Sequence, residues 1–174
     1  KKAFKINYEG VLNLVKLSKK YDSILIHIST DYVFDGKKNS HYLESDKCYP
    51  INEYGKSKLA GELIIKKNLK KYYIFRVSWL FGYGKNNFVK KIIKNLISYD
   101  QVSVVTDEFS SPTSSIDLVN LIKYIITERK IKYGLYHFNS YNKKISRFSF
   151  AKMISKILLI KGFSVAKISQ TYIN

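Results

Sequence analysis

Short apolar runs alternate along this chain with longer segments in which apolar residues recur every three or four positions. The longer segments have the spacing of amphipathic helices and cover about residues 4–18, 54–69, 88–98, 116–127 and 147–159. Between them, runs rich in β-branched and aromatic residues are typical of strands: Ile24–Ile28, Tyr73–Val77 and Leu135–Phe138. This alternation predicts an α/β fold built on a parallel sheet.

Polar residues mark the expected starts of two helices. Ser146 stands directly before one predicted helix, and Thr113–Ser115 stand before the helix near Ile116. Serine and threonine hydroxyls accept hydrogen bonds from the free N–H groups of a first helical turn, so we expect both segments to act as caps. After the last helix, Gly162–Ile168 is predicted to form a short strand.

Length and composition favour one domain. With 174 residues, 45% of them hydrophobic, the chain can bury a substantial core, and no low-complexity linker divides it. No apolar run reaches the roughly 18 to 20 residues of a membrane span, and the first residues do not resemble a signal peptide. We therefore expect a cytoplasmic protein with no membrane partner.

A tyrosine and a lysine stand one helical turn apart in the second predicted helix. Tyr54 and Lys58 therefore share a helix face, about 5 to 6 Å apart, and can reach one ligand. A phenol donates a proton to a carbonyl oxygen only if the phenolate is stabilised. A cation about 4 Å away contributes roughly 4 kcal/mol at an effective dielectric of 20. With 15 tyrosines in the chain, a chance pair on a solvated helix is the alternative.

A hydroxyl group is expected near this pair. Thr30 follows the strand Ile24–Ile28, at the carboxyl end where open α/β sheets place their chemistry. Its side chain can hold the same carbonyl oxygen and orient the transferred proton. Tyr54, Lys58 and Thr30 are therefore the candidate catalytic residues.

Four motifs around these residues carry a wider resemblance. They are STDYVFDG from Ser29 to Gly36, YGKSKLAGE from Tyr54 to Glu62, RVSWLFG from Arg76 to Gly82, and the triplet Asn87–Val89. In this order they resemble the extended short-chain dehydrogenase/reductase superfamily, and more narrowly the dTDP-4-dehydrorhamnose reductase family. The resemblance implies a partial Rossmann-type, doubly wound parallel sheet with a small α/β substrate-binding part, within a single truncated domain. The implied substrate-binding segments are about residues 82–115 and 139–174.

The resemblance also implies a reaction. NADPH or NADH would deliver hydride to C4 of dTDP-4-dehydro-L-rhamnose while Tyr54 donates the proton, yielding dTDP-L-rhamnose. Tyr54 would also contact the cofactor, and Lys58 would bind the nicotinamide ribose. Thr30 and Asp31 would contact the substrate near the reacting carbon.

Three further substrate contacts follow from the resemblance. Trp79 would lie against the deoxysugar, although a core aromatic after the strand Tyr73–Val77 is the structural alternative. Asn87 and Phe88 would approach the nucleotide diphosphate. In the stretch after Val105, Glu108 and Ser110 replace the Gln and Gly usual in the family, so no substrate contact is assigned there.

The glycine-rich strand–turn–helix that holds a dinucleotide is missing from this sequence. The chain instead begins with a segment that resembles a later superfamily helix, with Asn7 at its usual place. We therefore expect a fragment that carries the catalytic residues without the cofactor's diphosphate pocket and is inactive by itself. Residues outside the chain would decide between NADPH and NADH.

Neither the net charge nor the histidines and the cysteine favour a different function. The net charge is +18, but the lysines are scattered over predicted helix faces and no nucleic-acid motif accompanies them. His27, His41 and His137 have no ligand spacing, so no metal is expected. Cys48 is the only cysteine and is expected to be an inert thiol.

Two alternatives to the reductase stay open, and a homodimer is compatible with all three. One is a nucleotide-sugar epimerase or dehydratase of the same superfamily. The other is a non-catalytic binding protein similar to the regulatory β subunit of methionine adenosyltransferase. Trp79 within SWLFG favours the reductase.

Overall fold

The computed structural model of the chain describes residues 2–84, 87–128 and 130–173. Its α-helices are α1 (Lys2–Phe4), α2 (Gly10–Lys20), α3 (Glu53–Asn68), α4 (Phe88–Ser98), α5 (Ser115–Glu128) and α6 (Arg147–Ile160). Its strands are β1 (Leu25–Thr30), β2 (Tyr72–Val77), β3 (Leu80–Phe81), β4 (Gln101–Val105), β5 (Phe109–Ser110), β6 (Thr113–Ser114), β7 (Gly134–His137), β8 (Ile145–Ser146) and β9 (Lys167–Thr171). The five predicted helices and the three strands placed between them are confirmed.

The chain divides into two compact units. The first unit contains Lys1–Val77 and Tyr124–Phe138, and the second contains Ser78–Lys123 and Asn139–Asn174. Among the described residues, no helix is long and apolar enough to cross a membrane. The assignment of residues 82–115 and 139–174 to substrate binding stays a prediction.

A parallel sheet of three strands, in the order β1-β2-β7, forms the frame of the first unit. The register pairs Thr30 with Val77 and Arg76 with His137, so β1 and β2 end at the same edge. The predicted α/β class with parallel strands is therefore confirmed. Helices α2 and α3 pack on this sheet through a cluster that contains Val11, Val15, Ile65 and Ile74.

The second unit is built from three strand pairs. Strands β3 and β6 pair in parallel, as do β4 and β9, whereas β5 and β8 are antiparallel. Its core lies between α4, α6 and the β4–β9 pair, because the apolar stripes of both helices face the inward side chains of the strands. The buried members are Ile92, Leu96, Val102, Val104, Phe150, Ala151, Ile154, Leu158 and Ala166.

Short polar side chains cap the helices that carry candidate site residues. Asn52 accepts a hydrogen bond from the Gly55 N–H at 2.8 Å at the start of α3. Ser146 accepts one from the Ser149 N–H at 3.0 Å at the start of α6, as predicted. Ser114 accepts one from the Ile116 N–H at 3.2 Å, so capping by the predicted segment is confirmed at this residue.

The strand predicted at Gly162–Ile168 is wrong in its position. Gly162 has φ +82° and ends α6, with its N–H bonded to the Leu159 carbonyl and the Phe163 N–H bonded to the Leu158 carbonyl. This is a Schellman arrangement, in which a glycine in the left-handed conformation satisfies the last helical carbonyls. The strand begins only at Lys167, where it pairs with β4.

Candidate active site

The first turn of α3 lies against the turn that follows β1. A Cβ atom added to Gly55 would overlap the carbonyl oxygen of Tyr32, so this close approach requires glycine. The contact brings the ring of Tyr54 to 5.9 Å from that of Tyr32, edge to face. The Tyr54 side chain is 47% exposed and is therefore open to a ligand.

Lys58 lies one helical turn further along α3 and is largely buried. Its Nζ donates a hydrogen bond of 2.5 Å to the carbonyl oxygen of Ile28, near the end of β1. Burial lowers the pKa of Lys58 below its ordinary value, and the negative charge of Glu62 opposes that shift. Both Tyr54 and Lys58 therefore face the segment Ile28–Tyr32, as their spacing predicts.

Thr30 and Asp31 belong to that same segment. Thr30 is the last residue of β1 and is buried, with its hydroxyl donating to Asp31 Oδ1 at 3.2 Å. The same hydroxyl oxygen accepts from the Tyr32 N–H at 3.3 Å. The structure thus brings the four residues predicted for the reacting end of the substrate to the carboxyl end of β1.

A buried ion pair next to these residues was missed by sequence reasoning. Arg76 of β2 donates to both carboxylate oxygens of Glu62, with Nη2 at 2.6 Å from Oε2 and Nε at 3.0 Å from Oε1. Glu62 is 1% exposed and Arg76 is 5% exposed. A second donor to the same carboxylate is the Ser29 hydroxyl. A signal was available, because a charged residue inside the buried run Tyr73–Val77 needs a partner of opposite charge.

The Arg76 guanidinium also contacts Cys48 and His137, two residues considered above for thiol or metal chemistry. Its Nη2 donates to Cys48 Sγ at 3.1 Å, and its Nη1 lies 3.4 Å from His137 Nε2. Burial raises the pKa of the Cys48 thiol, which favours its unreactive protonated form. The described residues contain no group of three or more side chains suited to hold a metal ion.

His27 has an unusual environment within β1. Its Nε2 is buried and has no hydrogen-bond partner among the described residues. Burial, together with the positive charge of Lys58, lowers the pKa of His27 from 6.5 to about 4. The imidazole is therefore neutral at physiological pH.

The second unit holds Trp79 in a strained and crowded position. Its φ of 42° lies in the left-handed region, which is rare for a bulky residue and is found mainly where surrounding contacts hold it. The indole stacks against Phe150 at 6.3 Å, and the Arg147 guanidinium lies 3.9 Å from its centre. Arg147 also lies 4.7 Å from the ring of Phe88 and forms an ion pair with Glu108 at 3.0 Å.

Asn87 has a structural function in this unit. Its Oδ1 accepts from the Lys90 N–H at 3.0 Å and so caps α4. Its Nδ2 donates to the carbonyl oxygens of Gly82 and Gly84, at 2.9 and 3.1 Å. The side-chain amide of Asn87 is therefore hydrogen-bonded to the loop before α4. Phe88, the next residue, begins that helix. Trp79 and Phe88 are brought together around Arg147, which sequence reasoning did not select.

A family model described as the RmlD substrate binding domain matches residues 1–173. The chain belongs to this family. Among its relatives, the dTDP-4-dehydrorhamnose reductase of Aggregatibacter actinomycetemcomitans is 40% identical over 140 residues, which cover 78% of this chain and 48% of the relative. The RmlD family chain thus spans about half the length of the curated relatives it matches.

Solved structures of similar proteins agree with the fold of this RmlD family member. A dTDP-4-dehydrorhamnose reductase from Clostridium acetobutylicum has a TM-score of 0.87 and 36% identity, with 97% of this chain and 57% of the other covered. One from Bacillus anthracis, in complex with NADP, has a TM-score of 0.84 and 38% identity, with 95% and 57% covered. The expected resemblance to reductases of this family is confirmed.

Proposed function

We propose that this chain supplies the proton-donating and substrate-binding residues of a dTDP-4-dehydrorhamnose reductase. The observation that carries the proposal is the placement of Tyr54 and Lys58, both facing the carboxyl end of β1 beside Thr30. Identities of 36% to 40% with reductases of this name support the choice of substrate. The protein would work in the cytoplasm, where nucleotide sugars and nicotinamide cofactors are present.

The chain's own part in the reaction is the delivery of a proton. The exposed phenol of Tyr54 donates its proton to the C4 ketone oxygen as that oxygen gains negative charge. The ammonium of Lys58, one helical turn away, stabilises the phenolate that remains. Thr30 and Asp31 hold the sugar near its reacting carbon by hydrogen bonds.

The residues of the first unit fit a nicotinamide cofactor, NADPH or NADH. An ammonium has three N–H donors, and the structure records one hydrogen bond from Lys58 among the described residues, to Ile28. The remaining donors can bind ribose hydroxyls, and Tyr54 can contact the nicotinamide end. When bound, the cofactor supplies the hydride for C4 of the sugar.

The second unit contributes the proposed contacts to the rest of the substrate. Trp79 offers an indole to the apolar side of the deoxysugar, but Arg147 and Phe150 already stack against the ring, so the sugar would use the part of the indole that these two leave uncovered. Asn87 caps α4 and Phe88 begins it, at the positive end of the helix dipole, which suits an anionic diphosphate. A homodimer stays a prediction.

Removal of the Tyr54 hydroxyl tests the proposal. In the complete polypeptide that the gene encodes, NADPH oxidation is measured with and without dTDP-4-dehydro-L-rhamnose. We expect oxidation only with the sugar, and Tyr54→Phe should lower kcat on the order of 10² to 10⁴-fold because the general acid is lost. Substrate affinity, followed by isothermal titration calorimetry, should change little. Tyr21→Phe, which makes the same change at another exposed tyrosine, is the matched control.

Either of two outcomes would contradict the proposed function. A Tyr54→Phe variant that keeps the wild-type rate would exclude Tyr54 as the acid. Cofactor that binds but is never consumed would indicate an epimerase or a regulatory binding protein instead.

A further inference from the structure

The face of α3 that carries Tyr54 and Lys58 continues with a third functional group. Glu62 follows Lys58 by four residues, so phenol, ammonium and carboxylate lie one turn apart along the same helix face. Tyr54 is exposed, Lys58 is largely buried and Glu62 is fully buried. The stripe therefore runs from solvent into the packed interior of the first unit.

The buried half of this stripe ties α3 to the ends of two strands. Lys58 donates to the Ile28 carbonyl, and the next residue along β1, Ser29, donates its hydroxyl to Glu62. Arg76 near the end of β2 donates to both oxygens of the same carboxylate, from Nε to Oε1 and from Nη2 to Oε2. Because Thr30 directly follows Ser29, its position relative to α3 depends on these bonds.

Glu62 also acts on Lys58 as a negative counter-charge. Burial disfavours the charged form of Lys58, and the Glu62 carboxylate is the group that opposes this effect. Of the other groups, His27 on β1 is neutral and Arg76 on β2 is already paired with Glu62. Asp31, in the turn packed on α3, and Tyr54, one turn before Lys58, are two further titratable residues on the elements around it.

We propose that Glu62 is a positioning residue of the reductase. Its carboxylate holds α3 against the ends of β1 and β2 and provides the negative charge that keeps the Lys58 ammonium charged in a buried place. This inference rests on the proposed function, since Glu62 acts on the reaction through Lys58 and does not touch the substrate.

The direct test removes the charge of Glu62 in the complete polypeptide. Glu62→Gln should lower kcat about 10 to 100-fold, because a displaced Lys58 no longer stabilises the phenolate that Tyr54 leaves behind. The KM for the sugar nucleotide should stay within about twofold, since no substrate contact is lost. The basic limb of the pH–rate profile should move to lower pH, because an ammonium without its counter-charge loses its proton more readily.

The matched control is Glu53→Gln. Glu53 lies on the same helix but is exposed and pairs only with Lys56 at 2.8 Å. Its replacement should leave kcat and the pH–rate profile unchanged. Ser29→Ala, which removes one hydrogen bond and no charge, should lower kcat without moving the basic limb.

A second variant covers the case in which Glu62→Gln leaves Arg76 unpaired and the protein does not fold. Glu62→Met combined with Arg76→Met removes both charges, and straight apolar side chains of similar length fill the space. This double variant should fold and still show the shifted basic limb. A folded double variant with the wild-type profile would overturn the proposal.

A readout without turnover separates this inference from the proposed function. The side-chain nitrogen of Lys58 can be titrated by nuclear magnetic resonance in the wild type and in the double variant. We expect the titration of Lys58 to move to lower pH in the variant. If the wild type reduces no sugar, the proposed function fails, whereas an unchanged Lys58 titration refutes the role of Glu62 alone.

Discussion

Replacing His27 with leucine should make the protein less sensitive to acid. The imidazole lies in β1, with Nε2 buried and without a hydrogen-bond partner among the described residues. Burial and the nearby charge of Lys58 lower the pKa of His27 from 6.5 to about 4. The folded protein therefore resists the protonation that the unfolded chain accepts.

The sign and size of the effect follow from this difference. Above pH 6.5 the imidazole is neutral in both states, so the folded protein keeps its full stability. Between pH 6.5 and about 4, the unfolded chain binds a proton that the folded protein does not, and stability falls. Because one pKa unit corresponds to about 1.36 kcal/mol, the loss by pH 4 is about 3 kcal/mol.

Urea unfolding at pH 7 and pH 4 measures this loss. The drop in the free energy of unfolding between the two pH values should be about 3 kcal/mol smaller in His27→Leu than in the wild type. At pH 7 the variant should be at least as stable, because an unsatisfied polar atom costs about 1 to 3 kcal/mol. His137, whose pKa is also lowered by burial, leaves a residual slope in both proteins.

The exposed His41 offers a matched control. His41→Gln removes an imidazole from a loop and should retain the wild-type drop between pH 7 and pH 4. An equal drop in the wild type and in His27→Leu would contradict this prediction, since it would mean that His27 is protonated equally in the folded and unfolded states.

Two further pairs of substitutions test packing. Gly61→Ala should lower the free energy of unfolding by about 1 to 3 kcal/mol, because the added Cβ would lie 2.5 Å from the backbone oxygen of Asn7. Gly10→Ala has room and should instead stabilise by about 0.5 to 1 kcal/mol, so two equal effects would contradict the packing. Arg147→Gln should change the emission of Trp79 and cost about 1 kcal/mol, because the stacked cation is lost. Lys152→Gln should leave that emission unchanged, and an unaltered spectrum in Arg147→Gln would exclude the stacking.

Features that depend on neighbouring residues could be predicted from the sequence. Helix spacing located all five predicted helices, and the hydroxyls of Ser114 and Ser146 marked two of their starts. The shared face of Tyr54 and Lys58 follows from the helical repeat alone. These features were predictable because they depend on contacts within a few residues, which composition and spacing record directly.

Contacts between side chains that are distant in sequence could not be predicted and are seen first in the folded chain. The pairing of Glu62 with Arg76, and of Glu108 with Arg147 over Trp79, joins residues far apart in the chain. The same holds for β9, whose start depends on its partner β4 and not on its own apolar pattern. Such contacts depend on strand register and on the packing of helices against sheets, and a linear pattern of residues does not specify these distances.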